Sequence, residues 1–164
     1  MKAAKSVGIQ YAALPYRVEG GRIRILLITS RRSRRWVIPK GWPIGGLAPP
    51  EAAAAEAAEE AGLIGRVEPQ PLGSYRYMKM GKDAETARAI QVIAFPFLVE
   101  DTAPAWKEQG QRQLRWFRYQ EAATRVAEPA LRRLIVDFGE ARTPSFFAQS
   151  LLRYRRWRLS RVSP

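Results

Sequence analysis

Residues 36–65 read WVIPKGWPIGGLAPPEAAAAEAAEEAGLIG, and the rest of the chain is arranged around them. A short apolar strand leads into a Pro/Gly loop, and the loop into a helix that stops at a glycine. Ala52 to Ala55, Ala57, Ala58 and Ala61 supply strong helix propensity. Pro50 suits a first helical turn, and Gly62 suits the position just past the last one. The charges on this helix are its unusual feature. Glu51, Glu56, Glu59 and Glu60 lie on it, and no Lys or Arg falls between Glu51 and Gly65.

Glu56 and Glu59 stand at i,i+3 and Glu56 and Glu60 at i,i+4, so the three carboxylates project from one face. Like charges so spaced destabilise a helix by roughly a few tenths of a kcal/mol per pair. Glu59 and Glu60 also sit toward the end where the helix dipole disfavours anions. A chain with 28 Lys and Arg against 15 Asp and Glu has nevertheless placed no cation on this helix. A divalent ion held by carboxylate oxygens would turn the repulsion into binding. The other reading is a solvated acidic face on an ordinary Ala/Glu helix.

Composition narrows the chemistry. With 46% hydrophobic and 26% charged residues, the balance is that of a folded globular domain. No apolar run approaches the length needed to cross a bilayer, and residues 1–17 have no signal-peptide pattern, so a cytoplasmic location is expected. The chain has no His and no Cys. That removes the usual ligands of zinc, haem and iron–sulfur centres, and it rules out Ser–His and Cys–His nucleophiles. A metal here must be bound by oxygen, which points to Mg²⁺, Mn²⁺ or Ca²⁺. Base catalysis falls to a carboxylate, a Lys or a Tyr. The net charge of +13 calls for a polyanionic partner: nucleic acid, an anionic membrane, or a densely phosphorylated small molecule.

Along the chain, residues 8–18 and 22–30 read as strands joined by Gly20-Gly21, a hairpin. Arg17 ends the first of them near the mouth of the later loops. The run from Ser30 to Arg35 is either a solvated basic loop or a phosphate clamp, since the planar Arg fork pairs two phosphate oxygens at once. Residues 67–80 read as one extended segment, 81–83 as a turn and 85–100 as a long strand, with Arg76, Lys79 and Lys82 near the turn. Residues 112–119 form a further strand. Two helices follow between Tyr119 and Phe138, broken at Glu128-Pro129, and Arg132 and Arg133 face either the site or solvent. The segment 143–161 reads as a basic amphipathic helix, either packed on its own domain or offered to a membrane, RNA or partner.

Gly41, Glu56, Glu59, Glu60, Gly62 and Leu63 fall at the spacing of the Nudix hydrolase signature, and the chain resembles that family. Two positions depart from the signature. The glutamate expected after the first glycine is Leu47, and the arginine before the first helical glutamate is Ala55. Within the family, TSRRSRRWVIPKGWP (29–43), GSYRYMKMGK (73–82) and RQLRWFRYQEA (112–122) are most similar to the diphosphoinositol polyphosphate phosphohydrolase branch. The resemblance covers roughly residues 8–137.

It implies one domain over residues 1–164 with an α/β fold, a Nudix-type α/β/α sandwich with a mixed β-sheet. The strand pattern alone leaves other α+β folds open. It also implies Mg²⁺ or Mn²⁺ held by Glu56, Glu60 and the carbonyl of Lys40, with Glu59 as general base. The substrate-binding positions are Arg17, Thr29, Ser30, Arg31, Gly41, Trp42, Lys79 and Arg112. The expected reaction is cleavage of a phosphoanhydride in a diphosphoinositol polyphosphate or dinucleoside polyphosphate. Simpler nucleotides such as ADP-ribose or nucleoside triphosphates, and capped RNA ends, stay open. A non-catalytic RNA- or polyanion-binding module on the same fold is the rival class, and nucleic acid is the less favoured partner.

Overall fold

The computed structural model describes residues 7–81 and 87–143. The elements in chain order are β1 (Gly8–Glu19), β2 (Arg22–Thr29), β3 (Trp36–Val37), β4 (Lys40–Gly41), α1 (Pro49–Ala61), β5 (Leu63–Val67), β6 (Gly73–Lys79), β7 (Arg88–Thr102), β8 (Leu114–Arg118), α2 (Tyr119–Arg125) and α3 (Pro129–Arg142). Among the described residues, no helix is long and apolar enough to cross a membrane.

The strands form one mixed sheet, β3-β2-β1-β7-β5, with β4 also on β1, β6 on β7 and β8 on β2. Among the described strands, β1 and β7 pair in parallel, from Gly8 opposite Ile90 to Tyr16 opposite Leu98. The glycine hairpin forms as expected, with Gly20 and Gly21 at φ 58° and 73°, a turn that side chains with a Cβ rarely adopt. On its other edge, β1 changes partners along its length. Tyr16 to Glu19 pair with β2, while Tyr11 and Ala12 pair with Gly41 and Lys40 of β4. That switch seats Lys40 and Gly41 at the middle of the sheet.

Alternation along the strands divides the core into two layers. Ala12, Leu14, Ile23, Ile25 and Leu27 face α2 and α3, where Leu131, Ile135 and Phe138 close over them. Ala13, Leu26 and Ile28 face the other way, onto Ala53, Ala57 and Ala61 of α1. The sheet therefore lies between one helix and two, an α/β/α sandwich. The alanines of α1 do more than favour helix: Ala52, Ala53, Ala57 and Ala61 are fully buried, so α1 lies flat on the sheet.

One strand assignment differs from the sequence reading. Residues 67–80 are not a single strand. β5 and β6 run in line along one edge of β7, and Glu68 to Leu72 lift away between them, held by N–H donation from Glu68 to Pro96 O and from Leu72 to Ala94 O, both 2.8 Å. Pro69 and Pro71, which have no N–H to donate, account for the break. Lys82 and the 143–161 helix lie outside the described residues, apart from Thr143, which caps α3 by donating its N–H to Gly139 O at 3.0 Å.

Candidate active site

Two contacts join the loop to α1. The Lys40 N–H donates to Glu60 Oε2 at 3.2 Å. Glu56 lies against Gly41 so closely that a Cβ there would fall 1.9 Å from Glu56 Oε1. Glycine at 41 thus lets the Glu56 carboxylate lie directly against the loop backbone. At the far end of α1, Gly62 adopts φ 65°, and its N–H reaches Ala58 O at 3.0 Å. A Cβ on Gly62 would lie 2.4 Å from the Trp106 ring, so Trp106 sits directly on the helix terminus. Through it, the 103–113 loop folds over the three glutamates.

That loop corrects one inference from the sequence. The helix carries no cation, but two arrive from a distance. Lys107 Nζ donates to Glu59 Oε1 at 2.7 Å. Arg112 donates to Glu60 Oε1 at 2.5 Å, to Glu108 Oε2 at 2.7 Å and to the Thr29 carbonyl at 3.1 Å. Only Glu56 lacks a cation partner among the described residues. Counting i,i+3 and i,i+4 neighbours sees one helix and misses charges brought by another segment.

Glu108 was absent from the sequence reading. Its side chain is 8% exposed, it holds Arg112, and Arg31 approaches its other oxygen at 3.2 Å. Its spacing to Arg112 is the only local hint, and that hint carries no weight outside a helix.

The carboxylates are crowded. Burial pushes Glu60 up to about 7, against Arg112 and Lys40, which pull it down. Burial also raises Glu56, and the charges of Glu59 and Glu108 add to the rise. The Lys40 ammonium is lowered by burial, with Glu60 opposing. Lys107 is raised by its hydrogen bond to Glu59.

The donor set suits a hard divalent cation, being oxygen throughout, with Glu56 half-buried, unpaired and pressed by like charge. Among the described residues, however, no three acidic groups form a ready-made metal cage. Closure on an ion requires Arg112 and Lys107 to share or release carboxylate oxygens.

The other expected site residues fall into separate groups. Ser30, Arg31 and Arg34 form a tight turn, with Arg34 at φ 55° and its N–H on Ser30 O at 3.1 Å. The turn leans on the 108–113 stretch through Arg31 to Gln111 Oε1 at 3.3 Å and Arg34 to Gln111 O at 3.2 Å. Thr29 is buried, and its Oγ1 accepts from the Gln113 N–H at 2.9 Å. Lys79 Nζ sits 5.0 Å from the ring centre of Trp42, whose side chain is exposed. Arg17 stacks over Trp116 at 4.3 Å and pairs with Glu19 at 3.3 Å, rather than with the glutamates of α1. Arg132 donates to the carbonyls of Ala123 and Val126 and so fastens the corner between α2 and α3.

The NUDIX domain family model matches residues 10–138. Nudix hydrolase 18, mitochondrial, of Arabidopsis thaliana is 32% identical over 117 residues, 66% of this chain and 63% of the relative, so the chain spans under two thirds of that relative's length. A crystal structure of a C. elegans Ap4A hydrolase superposes with a TM-score of 0.58 at 18% identity, covering 81% of this chain and 96% of that one. The NUDIX domain of Shewanella oneidensis NrtR, complexed with ADP ribose, gives 0.59 at 14% identity, covering 83% and 90%. These likenesses carry the fold, and the family match over residues 10–138, with the three helical glutamates and both glycines of the signature present, carries the membership: this chain belongs to the Nudix family.

Proposed function

We propose that the chain hydrolyses a phosphoanhydride bond in a highly phosphorylated substrate, of the dinucleoside polyphosphate or diphosphoinositol polyphosphate class. Mg²⁺ or Mn²⁺ would be held by Glu56, Glu60 and the Lys40 carbonyl. When bound, the ion would offset charge on the pyrophosphate and favour ionisation of the attacking water. The observation that carries this reading is the seating of two α1 carboxylates on the loop: Glu56 over Gly41 and Glu60 on the Lys40 N–H.

Glu59 is the proposed general base. It is 38% exposed and is held by a lysine that is itself 72% exposed, so it is free to turn toward water. It takes the water proton as the oxygen bonds to phosphorus and the bridging P–O bond breaks, the electron pair leaving with the departing phosphate. Arg31 and Lys79 are the proposed phosphate grips, with Arg17, Thr29, Ser30, Gly41, Trp42 and Arg112 as further substrate-lining positions. The Ap4A named for the C. elegans neighbour agrees with the dinucleoside class.

The test is Mg²⁺-dependent release of phosphate or nucleotide across a panel of pyrophosphates, with EDTA as control. Glu59→Gln is expected to lower turnover by about a hundredfold or more with near-normal substrate binding. Wild-type turnover in that variant would remove the base assignment. No release from any pyrophosphate would favour a binding module.

A further inference from the structure

Exposed apolar side chains collect at one end of the sheet. Trp42, Ile44 and Leu47 lie on the loop that enters α1, Ile9 at the start of β1, and Met78 and Met80 at the end of β6, each between 39% and 60% exposed. None of the six belongs to either core layer. Strand register brings the three segments together. Gly8 lies opposite Ile90, and Ile90 opposite Tyr77, so the first residues of β1 and the last of β6 flank the start of β7. The loop joins them through Trp42, whose ring is 3.0 Å from the place of a Cβ on Gly8. Ile44 and Leu47 follow in a turn closed by the Leu47 N–H on Ile44 O at 3.1 Å. Single exposed aliphatic side chains are ordinary, but a cluster drawn from three segments marks a contact surface.

Cations rim this cluster. Arg76, Lys79 and Arg88 are exposed on β6 and β7 on either side of Met78, and Lys79 Nζ sits 5.0 Å from the Trp42 ring centre. The loop carries no acid before Glu51, whose carboxylate accepts the Ala48 N–H at 2.8 Å.

The mixture of side chains decides the partner. A surface for single-stranded nucleic acid offers flat rings for base stacking, and here Trp42 is the sole aromatic among six. An indole among aliphatic side chains, ringed by ammonium and guanidinium groups, matches the boundary of a bilayer. Its apolar groups enter the acyl boundary while its cations meet anionic headgroups. The net charge of +13 draws the whole chain toward such a surface.

We propose that this end of the molecule docks on an anionic membrane, with Ile44, Leu47 and Met78 entering the headgroup layer. Trp42 directly follows Lys40 and Gly41, so docking sets the mouth of the candidate active site at the lipid surface. The proposal needs no hydrolysis and stands apart from the enzymatic reading.

The experiment is co-sedimentation of the full chain with vesicles of two parts phosphatidylcholine to one part phosphatidylserine, and with vesicles of phosphatidylcholine alone, at one fixed salt concentration. Net charge by itself would bring so basic a protein to the anionic vesicles, so substitutions that keep the charge carry the test. Ile44→Ser combined with Leu47→Ser is expected to weaken binding about tenfold or more, the loss of two lipid-covered side chains. Val18→Ser combined with Ile64→Ser removes two side chains at least as exposed elsewhere and should leave binding unchanged. Brominated phosphatidylcholine in the vesicles should quench tryptophan emission, and Trp42→Phe should remove most of that quenching. No binding to the anionic vesicles, equal binding by the Ile44 and Leu47 double variant, or quenching that survives Trp42→Phe overturns the proposal. Should the double variant fail to fold, Met78→Ser repeats the test on another segment, and an unchanged affinity overturns it equally. A single-stranded oligouridylate is measured alongside. If the double variant weakens its binding and spares the vesicles, the surface takes RNA and the proposal falls.

Discussion

Arg112→Met tests whether the 103–113 loop supplies the counter-charge of the α1 glutamates. The guanidinium is 7% exposed and joins three acceptors: Glu60, Glu108 and the Thr29 carbonyl. Methionine keeps much of the stem and its packing but leaves two buried carboxylates facing each other without a cation. Removing one partner of a buried pair costs about 3–5 kcal/mol. Against a native stability of about 5–15 kcal/mol, that is a large share. With an m-value of about 2 kcal/mol/M in urea, the unfolding midpoint should fall by about 1.5–2.5 M. Arg112→Lys retains the charge but cannot reach all three acceptors, and its midpoint should lie between the two. Millimolar Mg²⁺ should then stabilise Arg112→Met more than wild type, because the freed carboxylate oxygens gain a cation that binds only the folded chain. Urea melts followed by circular dichroism, with and without Mg²⁺, measure all of this. A midpoint shift below about 0.5 M, or equal Mg²⁺ stabilisation of both proteins, would refute the reasoning.

Gly41→Ala puts a methyl group where Glu56 Oε1 now lies, 1.9 Å from the new Cβ, so the carboxylate must swing away. Mn²⁺ affinity by calorimetry should drop about tenfold or more, while stability changes by less than about 1 kcal/mol, because the displaced group is the end of a flexible side chain. Gly62→Ala meets both a left-handed φ of 65° and the Trp106 ring at 2.4 Å. It should lose more than the roughly 1–2 kcal/mol expected for the backbone alone, and a smaller loss in a thermal melt would deny the Trp106 contact. Glu68 accepts from Arg142 at 2.6 Å and from the Tyr16 hydroxyl at 2.9 Å, tying the segment between β5 and β6 to the end of α3. The Arg142 hydrogen bond holds the Glu68 carboxyl below its ordinary 4.5, with burial opposing. A depressed folded pKa gives stability that is present above the unfolded pKa and lost as pH falls through the folded one. Glu68→Gln should therefore melt below wild type at about pH 7, and the difference should close in acid; a difference independent of pH would contradict the assignment.

Much of the architecture was legible because it is written in local signals. The alanine-rich helix α1, its stop at Gly62, the Gly20-Gly21 hairpin and the break at Glu128-Pro129 each depend on residues a few positions apart. The interruption at Glu68 to Leu72 was also written locally, in Pro69 and Pro71, but the extended character of 67–80 masked it. The seating of Lys40 and Gly41 was not written there, since it arises where β1 exchanges β4 for β2.

The chain's order of residues by itself determined which carboxylates share one helix face, that any metal must be held by oxygen, and that the chain as a whole is strongly basic. Those are matters of helical spacing, side-chain inventory and net charge. Only the folded arrangement decided that Lys107 and Arg112 already hold Glu59 and Glu60, that Glu108 joins them, and that three distant segments bring exposed apolar side chains to one end of the sheet. Coulomb attraction and desolvation depend on distance and burial, and both are set by segments that meet in space after running far apart in the chain.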